Sequence, residues 1–246
     1  GLVPTSLLIG LLNTGVAYLT IAAYRDRLPQ RRAQALLSLA TAALLLLAFV
    51  QNGSLWGFLE QRLFRDSIIY SAQTSYQQIT LTAWRDDVRL FLDGNLQFSS
   101  LDEHRYHEAL VHPAMSTVRS RARVLILGGG DGLAAREVLK YSDVERVTLV
   151  DLDPAIIALS RTNATLARLN GGSLANPKLN VVNVDAFKFI EENDDFYNVI
   201  LADLPDPRNE SLQKLYSVEF YGLAHRRLAA DGVMVTQATS PYFAPK

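Results

Sequence analysis

The chain has 246 residues, 49% of them hydrophobic, a formal net charge of −1 and no cysteine. That length holds one large domain or two small ones, and the lack of cysteine excludes a disulfide framework and a thiolate metal site. Charge is unevenly divided: residues 1–58 carry four arginines and one aspartate (+3), the rest 20 basic and 24 acidic residues (−4). A mildly acidic remainder argues against a nucleic-acid partner and suits a cationic ligand.

Leu2 to Tyr24 is uncharged over 23 positions, and Ala33 to Val50 over 18. As helices these runs span roughly 34 and 27 Å, against about 30 Å for the hydrocarbon core of a bilayer. Arg25 to Arg32, with four arginines, Asp26 and Pro29, forms the turn between them. The pattern predicts a transmembrane helical hairpin over residues 1–58; a pair of buried core helices is the competing reading. A secretory signal is disfavoured, because no basic segment precedes the first run and no clear cleavage site follows it. Gly1 stands directly before an apolar run, and Lys246 comes soon after a strand-like segment. The chain therefore reads as a fragment of a multi-pass protein, with further spans upstream and an incomplete C-terminus.

Residues 59–120 predict a small β-section followed by a helix. Ile68–Tyr70, Ile79–Ala83 and Val88–Leu92 are β-rich, with Arg85-Asp86-Asp87 and Asp93-Gly94 as turn signals. Three or four antiparallel strands are expected. Asp102–Thr117 reads as a helix capped by Ser99 or Ser100, with Glu103 in its first turn.

From residue 121 to 246 strands and helices alternate. The expected strands are Val124–Leu127, Val147–Val150, Val181–Val184, Val199–Ala202 and Val233–Gln237. The expected helices are Ala134–Tyr141, Pro154–Leu169, Phe187–Glu192 and Ser217–Leu228. Continuous apolar strands separated by helices predict an α/β fold, a Rossmann-like parallel sheet of the methyltransferase type with both faces covered.

The strand Val124–Leu127 runs into Gly128-Gly129-Gly130-Asp131-Gly132 and then a helix. This is where a doubly wound sheet accepts a nucleoside cofactor, since glycines permit close backbone approach and positive φ. A tight βα connection is the structural alternative, but Asp151, about twenty residues on at the end of the next strand, typically binds a ribose diol. Acids end four strands in succession: Asp131; Asp151 and Asp153; Asp185; Asp203 and Asp206. Each alone reads as a helix cap; together they mark a site. No phosphate-loop lysine follows the glycines, so a nucleoside triphosphate is disfavoured; a dinucleotide is left open, although GGGDG departs from GxGxxG and Asp131 would repel its pyrophosphate. His104, His107, His112 and His225 form no compelling ligand set, and no metal site is expected.

These motifs resemble the spermidine synthase family of polyamine aminopropyltransferases. The resemblance covers roughly Ser75 to Gln237 and rests on the order of SYQ (Ser75–Gln77), LDG with Gln97, DEHRYHE (Asp102–Glu108), GGGDG with Arg136-Glu137, Asp151-Leu152-Asp153, Asp185-Ala186 and DLPDP (Asp203–Pro207). The hydrophobic hairpin resembles the membrane-embedded branch. The resemblance implies transfer of an aminopropyl group from decarboxylated S-adenosylmethionine to a diamine such as putrescine. It implies Asp203 as proton acceptor, aided by Tyr106. Gln77 and Asp131 would contact the aminopropyl end, Asp151 the ribose and Asp185-Ala186 the adenine, with Gly128 and Gly130 in the binding turn. His107, Asp206 and Gln237 would line the amine site. The expected partners are a small-molecule diamine and the lipid bilayer, with no nucleic acid and a homodimer left open.

Three features depart from the family pattern. Asp151 stands where soluble relatives usually have glutamate, so the ribose must sit closer or be bridged by water. Leu133 replaces a glycine and adds bulk beside the loop. The chain ends soon after Gln237, short of any later substrate contacts.

Two other functions fit the same cofactor fold: a methyltransferase using ordinary S-adenosylmethionine, and a membrane-tethered polyamine sensor without turnover. The cell membrane is the expected location. By the positive-inside rule, Arg25, Arg27, Arg31 and Arg32 place the turn in the cytoplasm and hence a simple hairpin's following domain outside. Arg62 and Arg65, balanced by Glu60 and Asp66, point the same way. Adenosyl cofactors and diamines are expected in the cytosol, however, and upstream spans can override the local count, so a cytoplasmic catalytic domain is expected.

Overall fold

The computed structural model describes residues 2–24, 30–50, 64–207 and 210–237. It divides into two compact units: Gly1–Gln73 with Thr82–Trp84, and Thr74–Leu81 with Arg85–Lys246.

The first unit begins with two apolar helices, α1 (Leu2–Ala23) and α2 (Arg31–Val50). Their most apolar stretches, Thr5–Ala23 and Arg31–Val50, have mean hydropathies of 1.7 and 2.2 and are 0% buried. Both are long and apolar enough to cross a membrane. The burial expected of a core helix is absent from α2. Within α1, Thr14 Oγ1 donates to Leu11 O (2.8 Å) and Thr20 Oγ1 to Val16 O (2.9 Å), and Ser38 Oγ of α2 donates to Thr14 O of α1 (3.2 Å). Arg31 and Arg32 open α2. Arg25, Arg27 and Pro29 of the expected turn, and Glu60 and Arg62 beyond the second run, lie outside the described residues.

A four-stranded sheet follows in the order β1 (Ser67–Gln73), β2 (Gln78–Trp84), β3 (Asp87–Leu92), β4 (Asn95–Ser99). The division between units falls within it, β1 and the Thr82–Trp84 end of β2 going with the helices. Asp93 (φ 50°) and Gly94 (φ 75°) make the tight turn from β3 to β4, an antiparallel pair. Helix α3 (Glu103–Thr117) starts at Asp102, not at a serine cap. Ser99 and Ser100 donate instead to Asp87 Oδ1, at 2.8 and 3.1 Å. Asp87 is buried and needs those donors more than the exposed helix end does.

The second sheet is the expected five-stranded parallel one: β5 (Arg123–Gly128), β6 (Arg146–Val150), β7 (Leu179–Val182), β8 (Tyr197–Asp203) and β9 (Leu228–Thr236). Its order is β7-β6-β5-β8-β9. Val124 to Leu127 and Val199 to Leu201 are wholly buried, as strands covered on both faces must be. The chain builds outward from β5 to β7, then returns to β8 on the other side of β5. That reversal opens a crevice at the carboxyl ends of β5 and β8, where Gly128 lies opposite Asp203.

The helices are α4 (Leu133–Val138), α5 (Pro154–Thr162), α6 (Ala164–Leu169), α7 (Ala186–Glu192), α8 (Glu210–Gln213) and α9 (Val218–Arg226). The helix expected over Pro154–Leu169 is two. Asn163 is extended (ψ 119°), and its side chain accepts from Thr165 N and Leu166 N, so it caps a second helix rather than continuing the first. Strand β9 begins earlier than expected, because Ala229 to Gly232, with its Asp-Gly turn signal, is absorbed where the β8–β9 register shifts.

Candidate active site

The glycine turn after β5 is dictated by crowding. Gly128 has φ +83°, and a Cβ there would lie 2.0 Å from Asp203 O, so only glycine lets β5 run this close to β8. At Gly130 a Cβ would meet Asp151 Oδ2 at 2.6 Å and Ile156 Cγ2 at 2.7 Å. Leu133, the departure beside this loop, is buried and not among the residues lining the crevice, so its bulk enters the core.

Every residue given a catalytic, cofactor-binding or amine-binding role by the resemblance lines one cavity of about 660 Å³ over this crevice. Its acids also do local work. Asp131 Oδ1 accepts from Leu133 N (2.9 Å). Asp151 accepts Gly130 N on Oδ2 (3.0 Å) and Asp153 N on Oδ1 (2.9 Å). Burial nevertheless pushes its pKa up to about 6, with the nearby charges of Asp131 and Asp153 adding to it. Asp153 caps α5 through Ala155 N (3.0 Å) and accepts Thr74 Oγ1 (2.8 Å) and Gln77 Nε2 (3.0 Å) on its other oxygen. Gln77, which the resemblance groups with Asp131, lines the same cavity, with its amide nitrogen anchored on Asp153. Asp185 caps α7 through Phe187 N (2.9 Å) and Lys188 N (3.2 Å), and Lys214 Nζ lies 2.7 Å from its Oδ2. Burial opposes its charge, but these donors prevail and hold the carboxyl below its ordinary value.

Across the crevice, Tyr106 on α3 donates its hydroxyl to Asp203 Oδ1 at 2.5 Å. Burial first, and then the charge of Asp131, raise Asp203 to about 6 despite that bond and the nearby His107. Burial and the Asp203 charge push the Tyr106 phenol far up, so it stays a donor. A Cβ on Gly129 would approach Asp203 Oδ2 to 3.1 Å, so the glycine leaves that oxygen room. The Asp203–Pro207 segment is held from behind. Tyr216 donates to Leu204 O (3.2 Å) and Pro205 O (3.1 Å), and Gln237 Nε2 also donates to Leu204 O. Gln237 thus lines the cavity while fixing this loop. Asp206 lines the cavity too.

Sequence reasoning missed the supporting residues. Thr74, Arg136, Lys214 and Tyr216 come from distant elements, and only the dipeptide Arg136-Glu137 carried a motif signal. His112 does lie near Glu108 and Glu137, with ligand atoms within 4.8 Å of one another. Glu137, however, already pairs with Arg136 Nε (2.9 Å) and with Lys140, and those cations oppose a metal ion.

A doubly wound parallel sheet with acids from four strands around its switch point defines a Rossmann-like α/β protein. Residues 103–246 match the family described as the spermine/spermidine synthase domain, and the chain belongs to that family. It is 50% identical over 245 residues to a polyamine aminopropyltransferase of Oceanobacillus iheyensis, covering 99% of this chain and 48% of that protein. It is 48% identical over 250 residues to polyamine aminopropyltransferase 2 of Ralstonia nicotianae, covering 100% and 49%. The chain thus spans about half the length of the curated relatives it matches. Among solved structures, a spermidine synthase in complex with the transition state analogue AdoDATO superposes with a TM-score of 0.67 at 32% identity, covering 72% of this chain and 59% of that one. The spermidine synthase of Thermotoga maritima gives 0.66 at 32% identity, covering 72% and 58%.

Proposed function

We propose that this chain carries the catalytic site of a polyamine aminopropyltransferase, moving the aminopropyl group of decarboxylated S-adenosylmethionine to a diamine such as putrescine. Spermidine and methylthioadenosine are the products. The observation that carries the reading is Asp203 at the switch point, its Oδ1 bonded to Tyr106 at 2.5 Å. Binding alone needs no such proton acceptor, and family membership supports the choice of reaction.

The chemistry fits the residues. Alkylammonium groups have pKa values near ~10, so the attacking amine must shed a proton. Its nitrogen lone pair attacks the methylene attached to the sulfonium, the C–S bond breaks with its electrons going to sulfur, and methylthioadenosine leaves as a neutral thioether. Asp203 accepts the proton. With a pKa of about 6 it is ionised at neutral pH yet more basic than an ordinary carboxylate. Tyr106 orients it. Asp131 faces the ammonium of the aminopropyl end; Asp151 takes the ribose and Asp185 with Ala186 the adenine, Gly128 and Gly130 giving close approach. Gln77, anchored by Asp153, closes the cofactor side. His107, Asp206 and Gln237 line the amine side. The same reading includes anchorage in a bilayer through α1 and α2 and a catalytic part on the cytoplasmic side.

The test is incubation of the complete protein with decarboxylated cofactor and a panel of amines, followed by mass spectrometry. Methylthioadenosine together with an amine heavier by one aminopropyl group is expected. Methyl transfer from ordinary S-adenosylmethionine would replace this reading with a methyltransferase, and binding without product would replace it with a sensor.

A further inference from the structure

Behind the amine side of the cavity lies a charged cluster that the reaction as written does not use. His107 is 2% exposed, and its Nδ1 sits 2.8 Å from Glu103 O and 2.9 Å from Glu103 Oε2. Both partners are acceptors, so Nδ1 carries a proton in either charge state. Glu103 is itself buried and held in a two-pronged pair by Arg136, with Nη1 2.8 Å from Oε1 and Nη2 2.9 Å from Oε2. Arg136 is tied in turn to Leu169 O (2.7 Å) and Glu137 Oε1 (2.9 Å). Neither Glu103 nor Arg136 lines the cavity, whereas His107 does. With Nδ1 fixed away from it, the Nε2 edge is what the imidazole presents to the amine.

We propose that Glu103 and Arg136 are positioning residues acting through His107, so that the empty amine site holds an imidazolium as its own counter-cation and releases that proton when a cationic amine takes its place. The inference rests on the aminopropyltransferase reading and adds a linkage to it. The titratable and charged groups about the imidazole are Glu103 and the edge-on Tyr106 ring (centroids 4.9 Å apart) on its own helix, Asp131 from the β5–α4 turn, Asp203 from the end of β8, and Arg136 behind Glu103. Burial disfavours the imidazolium, but Glu103, Asp131 and Asp203 outweigh it and raise His107 to about 9. Burial likewise opposes the Glu103 charge, yet His107 and Arg136 bring it down to about 2, so the carboxylate persists throughout the working range. An incoming ammonium claims Asp203 and repels the imidazolium. Loss of the Nε2 proton to buffer turns that edge from a donor into an acceptor for the amine N–H. The balance is one imidazolium giving one imidazole and one proton.

The test is calorimetric titration of putrescine into the complete protein saturated with methylthioadenosine, in buffers of different ionisation enthalpy. Near pH 7.5 the unaltered protein should release a proton for most binding events, and His107→Gln should release almost none. In Glu103→Gln the amide oxygen still accepts from Nδ1, but the charge is gone. His107 should then titrate near the ordinary value of ~6.5. Proton release at pH 7.5 should largely vanish, and the alkaline inflection in KM for the amine should fall from about 9 by roughly two pH units. A purely structural role would lower kcat or stability and leave that inflection in place. Turnover with no buffer dependence of the binding heat in the unaltered protein would overturn the linkage while sparing the proposed reaction. Absence of any aminopropylated product would overturn the reaction itself.

Discussion

At the residue scale, the site keeps two carboxylates in surroundings that disfavour their charge. Asp151 and Asp203 are each raised from 3.8 to about 6. For Asp203 the consequence for rate is an acid limb. As the proposed base it works only when ionised, so kcat should fall as pH drops through about 6, read from a pH–rate profile under saturating substrates. The consequence for stability has the opposite sense. A carboxyl with a raised folded pKa binds protons more readily when folded, so its penalty is full above about 6 and fades as pH falls towards 3.8. Asp203→Asn should therefore lose roughly 10²–10⁴ in turnover while unfolding at a higher temperature near pH 7.5, by something on the order of 1–3 kcal/mol. A variant that is both slow and less stable would argue against stored electrostatic strain at this position. Asp131→Asn should weaken binding of the decarboxylated cofactor about tenfold or more and narrow discrimination against ordinary S-adenosylmethionine, whose extra carboxylate Asp131 repels. Unchanged affinities for both ligands, measured by calorimetry, would remove Asp131 from that role.

At the scale of elements, the β5–α4 turn and the Asp203–Pro207 segment carry the site, and they are held differently. The turn is packed so tightly that added carbon must displace a cavity-lining group. Gly130→Ala puts its methyl 2.6 Å from Asp151 Oδ2. An overpacking cost of about 1–3 kcal/mol is expected, together with a loss in methylthioadenosine affinity larger than the change in melting temperature alone would suggest. A variant with reduced stability and unaltered affinity would mean that the Asp151 carboxylate does not face the ligand. The segment after β8 is anchored by Leu204, buried in the core, and by hydrogen bonds from Tyr216 and Gln237. Both the turn and the segment were legible as motifs because glycine, proline and aspartate have strong local preferences. Their props were not, since Tyr216 and Lys214 meet Leu204 and Asp185 only after the sheet closes. The capping of α3 illustrates the same limit. Two serines at the right spacing read as caps, but a buried Asp87, twelve and thirteen residues away, claims them.

Across the whole molecule, an apolar pair of helices precedes the α/β fold. Fusion of a reporter active only outside the cytoplasm to the C-terminus of the complete protein should stay silent; activity there would put the catalytic part outside, where the arginine count of the turn alone would place it. The order of strands and helices, the parallel sheet and the acids at strand ends were all readable from the chain, because hydrophobic period and turn chemistry act over a few residues. The apolar runs likewise announced their length and lack of charge without any folding. Tertiary structure alone decided which side of β5 each strand joins, and so where the crevice opens. It alone brought Tyr106 on α3 to Asp203 on β8, 97 positions apart, and set Glu103 and Arg136 behind His107. Those pairings depend on burial, which strengthens charge interactions and raises or lowers proton affinity only once distant segments exclude water together.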